Sequence, residues 1–353
     1  MASKKRLEWF LVDILKTFIN DSQKGRRLQK NGSKIRIGTI KQYEFVLLAL
    51  QKFEQAKNIP IRVKALNTTN QRIIKTEQNY WKKIYKKLLD YFYDDLKYYD
   101  NYVGTISKII RSSLIYFQES KGISLGSFYK LLYVPKEEIQ IVVLSAEQLN
   151  FLIYNKDFEA SLSSDLQIIK DIFVFGCTVA LRFSDLMNLY PHNLEQTGDK
   201  YYLKVISKKT QTATRVLLPE YAKDILLKYK NDKKQKTLLP AFSKNHLNLK
   251  IKELAEKADW VTPLLRTRNR RGEPITQQKS RGKSYRFCDS LTTHTMRRTA
   301  ITTMLSLGLP EYMVRKISGH APNSKEFYRY VQIAQTFMDD AIQAIHQKLS
   351  EQK

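Results

Sequence analysis

THTMRRTAITTML, residues 293–305, is the stretch on which the reading of this chain turns. Met296, Ala300, Ile301, Met304 and, just beyond the stretch, Leu307 recur at helical spacing and mark a buried stripe. At about 100° per residue, Arg297 falls near the middle of that stripe and Arg298 near its edge. His294 and Arg297 stand one turn apart, so both project to one side of the helix. A cation aimed into a core needs carbonyls or an anion to face it. A core His and Arg satisfied by carbonyls is one reading. Two such residues a turn apart favour the other, an anion site.

Working outward, four further stretches carry residues that packing alone does not explain. DLQIIKDIFVFGCTVAL (165–181) is almost continuously apolar and predicts a buried helix. Arg182 follows it directly in ALRFSDLMNL, where Ser184 is expected to cap the next helix with Asp185 in its first turn. The plain alternative for Arg182 is an ion pair with Asp185. Residues 201–219 (YYLKVISKKTQTATRVLLP) predict a hairpin that carries Lys208, Lys209 and Thr210, although a lysine at a turn is usually only solvated. Downstream, Pro310 opens PEYMVRKIS and Gly319 closes it, a helix with a Pro start and a Gly stop. His320 comes next, where a histidine often only caps carbonyls. KEFYRYV (325–331) then brings Tyr328 and Tyr330, eight and ten residues past His320, in a chain with 21 tyrosines.

Between the hairpin and His294 lies RTRNRRGEPITQQKSRGKSYR (266–286), with one acid, Glu273. Its Arg266, Arg268, Arg270, Arg271, Lys279, Arg281 and Lys283 are the strongest local candidates for DNA phosphate contacts. The whole chain agrees in sign. It has 353 residues and a net charge of +27, from 61 Lys and Arg against 34 Asp and Glu. Such a surplus points to a polyanion, nucleic acid first and an anionic membrane surface second. A solvated basic surface is the plainer explanation of the same surplus. No apolar run approaches the roughly 18 residues of a spanning helix. The N-terminus has acidic Glu8 and Asp13 in or beside its apolar part and no small-residue cleavage site. Two cysteines, Cys177 and Cys288, give neither a disulfide framework nor metal-ligand spacing, so a reducing cytoplasm is expected.

The chain divides by pattern. Residues 1–38 read as a helix over 6–20 followed by a basic arm or linker. Residues 39–120 form a small basic all-helical domain, with Ile40, Tyr43, Val46, Leu47, Leu50 and Phe53 at helical spacing. Its aromatics interleaved with lysines over 69–98 read either as core with a wet face or as a DNA-facing surface. Residues 121–144 are a linker, and 145–353 a second domain that opens with a capping box, Ser145 to Gln148. After Tyr330, an apolar stripe of Ala334, Phe337, Met338, Ala341, Ile342, Ile345 and Leu349 predicts a helix that docks on its own domain or on a partner.

Taken in order, Arg, hairpin Lys, His-x-x-Arg, Gly-His and Tyr resemble the tyrosine recombinase/phage integrase family over roughly residues 145–340. Residues 39–120 resemble its SAM-like core-binding domain, notably in Bacteroides-type mobile-element integrases. The resemblance implies a mainly α fold with a small β-sheet: a helical core-binding domain and an α+β catalytic domain. It implies Arg182, Lys209 (Lys208 as the alternative), His294, Arg297, His320 and Tyr330 as catalytic residues. The family's tyrosine usually stands nine residues after the Gly-His histidine, which leaves Tyr330 and Tyr328 to choose between. The F-x-x-Y-[IV] ending, from Phe327 to Val331, favours Tyr330. The turn from Lys209 to Pro219 is longer than usual, and Arg298 stands where many members have His.

The chemistry needs these residue types. Two guanidiniums can clamp the charge that grows on the oxygens of a phosphodiester transition state, and arginine's planar, permanently charged fork suits this better than lysine. A tyrosine ester conserves bond energy for rejoining. Histidines orient the phosphate or move protons, and a lysine protonates the departing 5′ oxygen. The implied activity is a site-specific recombinase forming a 3′-phosphotyrosyl link, without metal, ATP or other cofactor; neither GxxxxGK[ST] nor HExxH occurs. The implied partners are double-stranded DNA, other protomers in a DNA-bound tetramer, and accessory DNA-bending or directionality proteins, with no membrane. The alternatives are a catalytically silent DNA-binding protein of the same fold and a type IB topoisomerase-like activity.

Overall fold

A computed structural model describes residues 8–208, 212–229, 236–280 and 282–351. The chain forms two compact units. One runs through Ile139 and also takes in Thr267–Gln277; the other comprises Gln140–Arg266 and Gln278 onward.

The first unit is helical. A short strand β1 (Glu8–Phe10) leads into α1 (Leu11–Gln23), followed by α2 (Ile37–Lys57) and β2 (Arg62–Lys64). β1 and β2 pair antiparallel, Trp9 opposite Val63. The helix expected over 6–20 therefore starts only at Leu11, because Glu8–Phe10 is extended in this pairing. Next come α3 (Gln71–Asp90), which runs on into a π-helical turn at Tyr91–Asp95, and α4 (Asp100–Lys121). Trp81, Ile84 and Leu88 are buried while Lys82, Lys83, Lys86 and Lys87 are exposed. Trp81 stacks on Phe128 at 4.6 Å. The aromatics interleaved with lysines at this face thus build the core.

The second unit holds α5 (Ala146–Tyr154), closed by the expected Ser145–Gln148 capping box, then α6 (Lys156–Ser161), α7 (Ser164–Val179) and α8 (Phe183–Leu186). The residue capping α8 is Arg182. Ser184, expected as the cap, lies inside the turn and is exposed, because helical geometry begins one residue earlier at Phe183. β3 (Leu194–Thr197), β4 (Lys200–Ile206) and β5 (Ala213–Leu217) form an antiparallel sheet, Lys204 opposite Arg215. α9 (Glu220–Tyr229), α10 (Lys244–Lys257) and β6 (Pro263–Leu264) follow.

The basic stretch that follows is ordered into strands. β7 (Thr267–Arg270) and β8 (Glu273–Thr276) make a hairpin that belongs to the first unit. β9 (Gln278–Ser280) pairs with β10 (Lys283–Arg286), which also pairs with β6. The small sheet component is therefore several short antiparallel sheets. The chain closes with α11 (Phe287–Ser290), α12 (Thr293–Ser306), α13 (Glu311–Ser318) and α14 (Lys325–Glu351).

α12 lies on α7 at Gly176, where an added Cβ would sit 2.5 Å from Met296 Sδ. Met296, Ala300 and Ile301 are buried as expected, and Leu305 joins them. Leu307 does not: it is 81% exposed, because α12 ends at Ser306 and the helical period no longer governs the next residue. Along α14, Ala334 is buried, whereas Met338 and Ile342 are exposed. The side chains of Ala341, Ile345 and Leu349 lie outside the described residues. No helix among the described residues is long and apolar enough to cross a membrane.

Candidate phosphate-binding site

Five separate stretches of the second unit meet at one place. α7 ends at Ala180, whose positive φ of 56° turns the chain and leaves Arg182 at the start of α8. α12 carries Arg297, α13 ends at Ser318 before His320, α14 carries Tyr330, and Ser207 follows β4.

Arg297 is 3% exposed. One of its terminal nitrogens donates to the Ala180 carbonyl at 2.8 Å, and the other to the Ser318 carbonyl. Both acceptors sit at helix C-terminal ends, where unpaired carbonyls and the helix dipole favour a cation. That explains how a guanidinium is tolerated this deep. The carbonyl reading and the anion-site reading of Arg297 are thus compatible. The second nitrogen also stands 3.4 Å from His320 Nδ1, which in turn is 2.8 Å from Ser318 Oγ. Burial, with Arg182 beside it, lowers Arg297 to about 10.

Arg182 is half-buried and donates to Ser207 Oγ at 3.0 Å. Ser207 donates onward to Asp185 at 3.0 Å, and Asp185 also accepts from the Lys208 backbone N–H. The pairing of Arg182 with Asp185 therefore runs through a hydroxyl. Local sequence pattern offers Asp185 as a direct ion-pair partner of Arg182 and does not single out Ser207 between them. The signal for Ser207 was present: in Leu203, Val205, Ser207 the strand alternation points a polar residue inward.

The His320 ring lies 5.9 Å from the Tyr330 ring. Burial, then Arg297, Arg182, Arg315 and His294, brings His320 to about 3, so its ring is neutral at pH 7. His294 is exposed as a whole residue, yet packing around its ring and then Arg298, Arg297, Lys244 and Arg182 bring it to about 4. Tyr330 is 1% exposed. Burial pushes its phenol up, opposed by Arg298 and Arg297. Tyr328 is 50% exposed and lies beside the Arg315 guanidinium. Lys208 is exposed; Lys209 and Thr210 lie outside the described residues. No group of His, Cys, Asp and Glu among the described residues could hold a metal.

The basic stretch divides by local environment. In the first unit, Arg268 donates two bonds to Glu137, whose side chain is 1% exposed. Although burial raises that carboxyl, Arg268 and the Asn269 N–H hold it below its usual range. Arg271 pairs with Asp90 and Asp94, and Arg270 donates to the Lys97 carbonyl. In the second unit, Lys279 pairs with Asp289, Arg266 stacks over Tyr285 at 4.4 Å, and Lys283 is exposed. Arg281 lies outside the described residues.

No family model matches the sequence, and no curated protein matches it. Solved structures do resemble its fold. A lambda integrase dimer bound to a COC′ core site superposes with a TM-score of 0.58 at 14% identity, covering 92% of this chain and 78% of that one. The XerH site-specific recombinase, in a post-cleavage complex with palindromic difH substrate, gives 0.55 at 12%, covering 93% and 91%. The Tn1549 transposon integrase with circular intermediate DNA gives 0.52 at 13%, covering 97% and 100%. The chain thus has the fold of these integrases and site-specific recombinases, the one that its order of motifs resembles.

Proposed function

We propose that the protein is a site-specific DNA recombinase that cuts and rejoins DNA through Tyr330. The observation that carries this reading is the clustering of Arg182, Arg297, His320 and Tyr330 at one place in the second unit. In the proposed step the Tyr330 oxygen attacks the scissile phosphorus, a P–O bond to tyrosine forms, and the P–O5′ bond breaks. Arg182, held by Ser207 and Asp185, and Arg297 stabilise the charge on the non-bridging oxygens. Neutral His320 and His294 hydrogen-bond the phosphate, and a hairpin lysine, Lys209 or Lys208, protonates O5′. A 5′ hydroxyl from a second duplex then reverses the chemistry onto a new partner.

The buried Tyr330 must leave its place beside His320 to admit a phosphate. The described part of α14 offers exposed Met338 and Ile342 for docking on a neighbouring protomer. A lambda integrase tetramer on a Holliday junction, with the same fold, is the model for such an assembly.

The test uses the full chain with a randomised duplex library, each member nicked beside its central region so that a cleaved strand is lost. Wild type is expected to form a protein–DNA adduct that survives denaturation, and Tyr330→Phe to form none. An adduct that persists in Tyr330→Phe and disappears in Tyr328→Phe would move the nucleophile. Tight DNA binding without any adduct would point to a silent DNA-binding protein.

A further inference from the structure

We infer that the Ser207 hydroxyl is a spacer. It holds the Arg182 guanidinium in place and keeps the Asp185 carboxylate from pairing with it, so that the positive charge stays available to phosphate. This rests on the reading of Arg182 as half of the phosphate clamp and goes beyond it. The resemblance supplies no role for a serine at this position.

The hydrogen bonds carry the inference. Ser207 is 5% exposed and stands between two charged groups. Its oxygen accepts from a terminal nitrogen of Arg182 at 3.0 Å, and its own proton goes to Asp185 Oδ2 at 3.0 Å. Asp185 is 3% exposed, and a carboxylate that deep ordinarily takes a cation directly. Here, among the described residues, its hydrogen bonds come from neutral donors. These are the Ser207 hydroxyl, the Lys208 backbone N–H at 3.2 Å and the Ser184 hydroxyl at 3.4 Å. The Ser207 N–H donates to the Thr212 carbonyl at 3.0 Å, which ties the spacer to the base of the hairpin. Among the described residues, the Ser207 hydroxyl is also the one hydrogen-bond partner of the Arg182 side chain. The rest of the guanidinium's fork of donors is left for a phosphate.

The physical reason for a hydroxyl follows. A guanidinium and a carboxylate in direct contact away from water attract strongly, and the pair presents no net charge to an anion. An interposed hydroxyl lengthens the separation and weakens that attraction, yet still gives the carboxylate a donor. Removing it leaves buried Asp185 short of a donor, which is costly. Arg182, bonded to the same hydroxyl, is placed to supply the missing one. Without Ser207 the guanidinium therefore turns onto Asp185 and away from the phosphate, and the carboxylate changes from a support into a competitor. Ser207 touches no reacting atom; it is a positioning residue.

The experiment makes two measurements on the full-length protein. The first is single-turnover adduct formation on a nicked duplex that wild type cleaves. Ser207→Ala is expected to slow it about 30-fold, as a displaced catalytic group does, with DNA affinity nearly unchanged. Ser207→Thr, which keeps the hydroxyl, is expected to recover most of the rate. Ser207→Ala combined with Asp185→Asn is expected to react about tenfold faster than Ser207→Ala alone, because the amide does not capture the guanidinium. A merely structural role for the two residues predicts the reverse, two losses that accumulate. A double variant no faster than Ser207→Ala overturns the inference. The second measurement needs no DNA. It is the Nε–H resonance of Arg182 in protein labelled with ¹⁵N-arginine, assigned by difference with Arg182→Lys. The resonance is expected to move in Ser207→Ala and to return when Asp185→Asn is added. An unmoved resonance, or a shift that Asp185→Asn leaves in place, also overturns the inference. Absence of any adduct in wild type overturns the recombinase reading instead, and the resonance still decides whether Ser207 keeps the two charges apart.

Discussion

At the residue scale, the cluster is cationic first, and its histidines show the consequence. A ring depressed in the folded chain but ordinary, near 6.5, when unfolded takes up protons preferentially in the unfolded state. For His320, lowered to about 3, the stability of the neutral ring is complete above pH 6.5. It is lost as pH falls toward the folded value, at up to about 1.4 kcal/mol per pH unit. Glu159, lowered to about 2, contributes in a different window, losing its stabilisation only as pH falls below its ordinary value of 4.5. Between pH 6.5 and 5, therefore, the histidines dominate. The midpoint of thermal unfolding should fall with acidification in this range, and less steeply in His320→Gln. Equal slopes in the two proteins, measured by calorimetry, would mean that the ring is neither desolvated nor pressed by Arg297 and Arg182.

At the element scale, the site depends on how closely α12 approaches α7, since one ends near Arg182 and the other carries Arg297. Gly176 permits that approach. An alanine there would meet Met296 Sδ at 2.5 Å and Met296 Cβ at 3.0 Å. The thioether can swing aside, but the Cβ moves only with its helix. Gly176→Ala is expected to cost about 1–3 kcal/mol and to lower adduct formation more than DNA binding, because Arg297 shifts against the Ala180 carbonyl. An unchanged denaturant midpoint would rule this out. The same elements show what the sequence makes legible. Helical period alone places Arg297 inside the α12 stripe, and the apolar run of α7 predicts its burial. Local pattern does not show that Arg297 ends between two helix C-termini, because Ala180 and Ser318 reach it from 117 and 21 residues away. Nor does it show that the β7–β8 hairpin is built into the first unit, since Arg268 and Glu137 are 131 residues apart. Leu307 fails for a local reason: periodicity continues on paper past the point where the helix stops.

At the scale of the whole molecule, the question is which part of a +27 surplus meets DNA. Composition treats every cation in 266–286 alike; the fold does not. Arg271 faces Asp90 and Asp94, and Lys279 faces Asp289, which Arg286 also holds. Phosphate contacts made by such residues must compete with carboxylates already in place, so fewer counterions are released for each cation. Arg266 instead stacks on a tyrosine ring, and exposed Lys283 stands on the neighbouring strand pair. Two double variants remove equal charge and separate these cases. Arg266→Gln with Lys283→Gln should flatten the plot of log binding constant against log salt by about 2, the release expected for two phosphate contacts. Arg271→Gln with Lys279→Gln should flatten it by much less. If the two flatten it equally, the local carboxylates do not restrain their partners, and the contribution of the basic stretch is set by net charge alone. If neither changes the slope, the stretch is outside the interface, and the surplus must reach DNA through lysines and arginines elsewhere on the chain.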